Sequence, residues 1–129
     1  MTSAFNSPGI VLDASAIVAL PGSAYAQSLV RVFAKMNRPI IVPALSLAAA
    51  CLTGRVRAAA FDDPAFTVTA VSQPMVPDLV DLVLTSVIPL TLDSAQAAHH
   101  AVTGGSVLVT AAGDRYRGLA SPVWLDELS

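Results

Sequence analysis

The sequence predicts a single α/β domain with a mainly parallel central sheet flanked by helices. Three observations predict it. Gly9 to Leu12, Ile40 to Val42 and Ser106 to Thr110 are short, largely apolar runs without strict polar alternation, which reads as strands buried on both faces. Segments of helical spacing lie between them, so strands and helices alternate along the chain. Finally, 129 residues that are 54% hydrophobic and only 12% charged bound the chain to one domain, residues 1–129, that must bury a core. The same figures exclude disorder, and 9 Pro with 7 Gly scattered along the chain exclude low-complexity classes.

The elements follow in order. Gly9 to Leu12 ends at Asp13. Ser15 to Leu20 then reads as a helical turn or two, closed by Pro21-Gly22. From Ser23, an N-cap type, Tyr25, Leu29, Val32, Phe33 and Met36 recur at helical spacing until Asn37-Arg38-Pro39 stops them. Ile40 to Val42 is β-branched and bounded by prolines, hence a second strand. Pro43 to Leu52 is an alanine-rich helix ended at Thr53-Gly54. Asp62-Asp63-Pro64 is a turn, Phe66 to Val71 alternates like an edge strand, and Asp78 to Thr85 is helical. Val87 to Leu90 is a strand candidate that Pro89 demotes. Asp93 to Val102 is a helix, with Gly104-Gly105 supplying the αL residue that leads into strand Ser106 to Thr110. A short helix near Asp114 to Leu119 and a last strand, Pro122 to Leu125, finish the chain, and Trp124 is expected in the core.

Every long apolar stretch is interrupted before the roughly 18 to 20 residues of a membrane span, so none is expected. Ala24-Tyr25-Ala26 mimics a signal-peptidase site, but nothing basic precedes Ile10 and Asp13 falls inside the apolar run, which argues against export. With Cys51 as the only cysteine, no intrachain disulfide or cysteine zinc cluster is possible, and a cytoplasmic location is expected.

In open parallel sheets, ligands bind beyond the carboxyl ends of the strands. Function is therefore sought in the acids near that edge. Asp13 closes the first strand, where a charge is costly unless solvated, paired or metal-bound. Asp93 opens the helix before the late strand, and Asp114 follows that strand. Were the three to converge, they would suit a hard cation such as Mg²⁺ and, with it, metal-assisted phosphodiester hydrolysis. Asp93 and Asp114 also read as ordinary helix caps. Ser15 is placed to hydrogen-bond Asp13 or to cap a helix. Arg31, Lys35 and Arg38 at the i, i+4 and i+7 positions of the long helix, with Arg55, Arg57, Arg115 and Arg117, are candidates for tracking a nucleic-acid backbone, or form solvated faces on a chain of net charge −2. His99 and His100 are adjacent and point about 100° apart on a helix, so they cannot chelate together.

Val11-Leu12-Asp13-Ala14-Ser15-Ala16-Ile17-Val18-Ala19-Leu20 resembles the opening of PIN-domain proteins, VapC-type toxins among them. Val42-Pro43-Ala44-Leu45-Ser46-Leu47 is similar to their second strand and next helix. Val107 to Ala111, then Asp114 to Leu119, is similar to their late strand and its turn. The resemblance spans nearly the whole chain in order. It implies a PIN-like, Rossmann-like three-layer fold and descent from an endoribonuclease using Mg²⁺ or Mn²⁺, often paired with a small antitoxin. It implies that Asp13, Asp93 and Asp114 hold metal and that Ser15 orients a metal-bound water. Three departures stand out, the first being that the family's two helices between middle and late strands have room for about one here, between Leu90 and Ser106. The family's Glu after strand two is replaced by Ala48-Ala49-Ala50, and its Thr-small-Asp by Thr110-Ala111-Ala112. The resulting expectation is a PIN-like protein with weakened or lost nuclease activity, acting as an interaction or regulatory module. The alternative is an active nuclease using Asp13, Asp93 and Asp114. A homodimer, a small antitoxin-like or regulatory partner and at most weak RNA binding are expected.

A haloacid-dehalogenase-type phosphatase would carry a second Asp two residues after the first, where Ser15 stands. A receiver domain would need a lysine near its end, and Lys35 is the only lysine.

Overall fold

The computed structural model describes residues 4–128. Five parallel strands form one sheet in the order β3-β2-β1-β4-β5. They are β1 (Ile10–Leu12), β2 (Ile40–Pro43), β3 (Phe66–Thr69), β4 (Val107–Thr110) and β5 (Leu125–Glu127). The helices are α1 (Ala14–Ala19), α2 (Ala24–Lys35), α3 (Ala44–Leu52), α4 (Val76–Thr85) and α5 (Leu92–Gly104). This is the single α/β domain that the alternating pattern predicts.

Period-two geometry explains why the central strands read as unbroken apolar runs. Ile10 and Leu12 of β1, with Val107 and Val109 of β4, face a core built on Ile17, Leu29 and Phe33. Val11 and Leu108 face the opposite core, built on Leu79 and the alanines of α5. Both faces are covered, so no strand position between the helical layers tolerates an unpartnered polar group. Full burial of each such Val, Leu or Ile contributes roughly 1.5–3 kcal/mol.

The edges depart from the expectations, for local reasons. Val87–Leu90 forms no strand: Pro89 offers no N–H, and the Val87 N–H instead donates to the Gly118 carbonyl at 2.9 Å. Two helices, α4 and α5, run between β3 and β4, where about one is expected, because Val87–Leu90 is a connection and not a strand. The last strand starts later than Pro122, because its ladder with β4 opens with the Leu108 N–H donating to the Trp124 carbonyl at 2.8 Å. On this edge Trp124 is 61% exposed instead of lying in the core. The helix expected near Asp114 to Leu119 is a 3-10 turn over Gly113–Tyr116. Gly105 does adopt the left-handed conformation (φ 61°) that ends α5.

Among the described residues no single helix is long and apolar enough to cross a membrane. The apolar segments Ala14–Gly22 and Ala24–Lys35 are bent by 103° at their junction.

Candidate functional site

The strand order reverses between β1 and β4: β2 and β3 are laid down on one side of β1, and β4 and β5 on the other. The crevice at such a switch point is where this class of sheet binds ligands. Asp13 leaves the end of β1 there, and Thr110 ends β4 beside it.

Asp13 is 2% exposed, and its carboxylate accepts four hydrogen bonds. On Oδ1 the donors are Ser15 Oγ at 2.7 Å and the Ala16 backbone N–H at 2.9 Å. On Oδ2 they are Thr110 Oγ1 at 2.6 Å and the Tyr116 hydroxyl at 2.7 Å. The carboxylate is thus held by neutral donors, and among the described residues no cationic side chain pairs with it. An ionised carboxylate offers about four lone-pair sites, so this set saturates it. The bond to Ala16 also makes Asp13 the N-cap of α1.

Each donor is itself held in place. Ser15 Oγ accepts from the Ala111 N–H at 2.9 Å, and Thr110 Oγ1 accepts from the Ala112 N–H at 2.9 Å. The two hydroxyl oxygens approach to 3.1 Å with both protons committed to Asp13. The two chains from backbone N–H through the Ser15 and Thr110 hydroxyls polarise each successive donor toward the Asp13 carboxylate. At the start of α5, the Thr91 hydroxyl donates to Ser94 Oγ at 3.1 Å. The Tyr116 phenol is pushed well above its ordinary range, first by burial and then by the adjacent Asp13 charge. It stays protonated, as a donor to Asp13 must.

Asp93 sits in the first turn of α5, half-buried, after an N-cap that is Thr91. Its position is fixed by α5's anchoring to α3. Buried Gln96 accepts from the Leu45 N–H and donates to the Thr69 carbonyl, each at 3.0 Å. Buried Ser46 approaches the Asp93 carbonyl at 3.4 Å. Asp114 goes elsewhere. Its side chain is 86% exposed and pairs with Arg117 at 2.6 Å, while Arg117 also reaches Glu127 at 3.4 Å.

The crevice itself is an open cleft of about 540 Å³. Its walls include Ser15, Asp93, Arg55 and Arg115, with Val18, Ala49 and Ala111 among the apolar surfaces. Asp13 and Asp114 do not line it. The expected gathering of Asp13, Asp93 and Asp114 is therefore not formed: Asp13 is consumed as a cap beneath the wall, and Asp114 is drawn to Arg117 at the surface. Among the described residues no three His, Cys, Asp or Glu side chains are grouped so as to hold a metal ion. Ala49 lines the wall where the resemblance would place an acid. These donors do not fit a Mg²⁺ site, which needs several carboxylate oxygens open to one cavity.

Of the basic candidates, Arg115 reaches the cleft, Arg117 is tied to Asp114, and Arg31 and Lys35 lie on the exposed side of α2, outside the cleft lining. Arg55, like Arg115, reaches the cleft, whereas Thr110 and Tyr116 carry roles not assigned from the sequence. Thr110 had a signal, a hydroxyl residue closing the strand that neighbours Asp13. Tyr116 had none, because only the 3-10 turn brings it back under β1.

No protein-family model matches this chain, and no curated protein sequence matches it. A solved structure does. The chain is similar in fold to one in the crystal structure of VapBC2 from Rickettsia felis bound to a DNA fragment from their promoter. The TM-score is 0.69 over 94% of this chain and 99% of that one, at 13% identity. The fold is PIN-like. At that identity the likeness is one of architecture.

Proposed function

We propose that this chain is a PIN-like module of a toxin–antitoxin-type system that works by binding rather than by cutting RNA. The observation that carries this reading is the state of Asp13. A carboxylate that is 2% exposed and accepts four protein hydrogen bonds has no lone pair left for a metal ion. The remaining acids are divided between the cleft and the surface. The role of Asp13 is to tie β1, α1, β4 and the 3-10 turn together, which keeps the PIN-like frame without its hydrolytic metal.

Two further features support a binding role. The similar structure is described as VapBC2 bound to DNA from their promoter, which supports a small antitoxin-like partner here. In addition, Val76, Val80 and Leu84 recur every four residues along α4 and are 47%, 43% and 76% exposed, with Val87 beyond them at 88%. An apolar stripe of that kind suits a partner helix or a second copy of the chain.

The test is cleavage of a mixed-sequence RNA by the purified chain with Mg²⁺ or Mn²⁺ in excess. The proposal expects no cleavage above that of the Asp13→Asn variant. Metal-dependent cleavage that disappears in Asp13→Asn would favour the alternative, an active nuclease using Asp13 with Asp93 and Asp114. Light scattering on the same preparation, with Leu84→Glu beside it, checks self-association through α4. The proposal expects any dimer to dissociate in the variant.

A further inference from the structure

The cleft between α1, α3 and α5 carries more positive than negative charge on its walls. Arg55 and Arg115 line it, and Asp93 is its one acid. Among the described residues neither guanidinium has a carboxylate partner, since the ion pairs there belong to Arg117. The neutral hydroxyls on the wall are already committed. Ser15 donates to Asp13 and accepts from Ala111, while Thr53 donates to the Ala50 carbonyl at 2.6 Å and accepts from the Arg55 N–H at 3.2 Å. Two guanidiniums and one carboxylate are what remain for a ligand.

Those groups, with the apolar surface that Val18 and Ala49 supply, suit a ligand that has an anionic part, an apolar part and a hydroxyl or amine donor. We propose that the cleft binds a nucleoside phosphate without a metal ion. Arg55 and Arg115 take the phosphoryl oxygens, the apolar wall takes the base, and Asp93 accepts from a ribose hydroxyl. Guanidinium forks match phosphate geometry, and a volume of about 540 Å³ suits one nucleotide. The proposal rests on the reading above that the hydrolytic metal is lost: arginines now offset the phosphate charge that a divalent cation would otherwise neutralise. The phosphate has two possible sources, a free nucleotide or the 5′ end of an RNA.

Calorimetric titration of the full chain in EDTA at low salt tests this, with adenosine and uridine 5′-monophosphate, inorganic phosphate and a 5′-phosphorylated hexaribonucleotide as probes. Saturable binding of a monophosphate in EDTA is expected, tighter than inorganic phosphate and weakened by added salt. Arg55→Ala and Arg115→Ala should each weaken it about tenfold, and the double variant should abolish it. Asp93→Asn should narrow the preference for nucleotide over inorganic phosphate. Arg31→Ala, on the exposed side of α2, should change nothing. The exposed positions of Arg55 and Arg115 keep these variants foldable, and circular dichroism verifies that they fold. A hexamer that binds more tightly than the monophosphates assigns the site to RNA ends, and equal or weaker binding assigns it to free nucleotides; either ranking supports the proposal. No binding of any probe in EDTA, or binding unchanged in the double variant, overturns it. If that failure comes with no cleavage in Mg²⁺, this inference alone falls. Binding that appears only with Mg²⁺, together with RNA cleavage, sinks the reading beneath it as well.

Discussion

Asp13 and its donors make opposite predictions for a metal ligand and a structural cap. A ligand carboxylate held open for a cation is a local strain, and neutralising it raises or preserves stability. Here Asp13→Ala would strand the Ser15, Thr110 and Tyr116 hydroxyls and the Ala16 N–H. We expect a loss of about 3 kcal/mol in urea unfolding, given the penalty of buried unsatisfied donors. Tyr116→Phe removes one charge-assisted bond and should lose about 1.5–3 kcal/mol. Unchanged midpoints in both variants would mean that Asp13 is not a cap. Titration gives a second residue-scale prediction. His100 donates to or accepts from Thr69 Oγ1 at 2.9 Å and is held below its ordinary 6.5, first by burial and then by the neighbouring His99. A depressed histidine contributes stability that is present above the unfolded pKa and lost as pH falls below it. The melting temperature should therefore decline below about pH 6.5, and His100→Gln should flatten that decline.

Among the elements, the connection from β4 to β5 makes close contacts at two glycines, Gly113 and Gly118. A Cβ at Gly118 would lie 2.4 Å from the backbone nitrogen of Ile88, which cannot step aside without moving the segment between α4 and α5. One at Gly113 would meet the carboxylate end of Glu127, which can swing away. A Cβ at Gly22 meets nothing within 4 Å. Thermal melts should therefore rank Gly118→Ala as the most damaging, by about 1–3 kcal/mol. Gly113→Ala should follow, and Gly22→Ala should be near neutral. An equal effect at all three positions would show that the Val87–Gly118 contact does not hold these connections. At this scale, too, α5 reaches its place through Gln96, whose two amide bonds to Leu45 and Thr69 seat the helix that carries Asp93.

For the molecule as a whole, alkaline stability depends on Tyr116, whose phenol is also raised, and on Tyr25, which ties α2 to β5 through a hydrogen bond to Asp126. Partial burial, that bond and the Asp126 charge raise its phenol from 10.0 to about 12. A raised tyrosine contributes stability that is present below its unfolded pKa and lost as pH climbs toward the folded value. The chain should weaken between about pH 10 and 12, and Tyr25→Phe should reduce that slope. The architecture was legible because β1, β2 and β4 are buried on both faces and so carry an unmistakable apolar run. The edges were not, because β5 reads Leu-Asp-Glu and is specified by pairing with β4, not by its own pattern. The position of Asp13 was legible from one charge following three apolar residues. Its partners were not, since Thr110 and Tyr116 lie 97 and 103 residues away and meet it only after the sheet closes.

The whole reading turns on whether the carboxylates near β1 and β4 can hold a divalent cation. Thermal melting of the wild-type chain and of Asp13→Asn across a Mn²⁺ titration to millimolar concentration decides it. A site filled to 100 times its dissociation constant would stabilise the fold by about 2.7 kcal/mol. We predict that Mn²⁺ leaves the wild-type midpoint unmoved. A saturable rise in the wild-type chain that is absent from Asp13→Asn would contradict that prediction and restore a metal centre to the cleft.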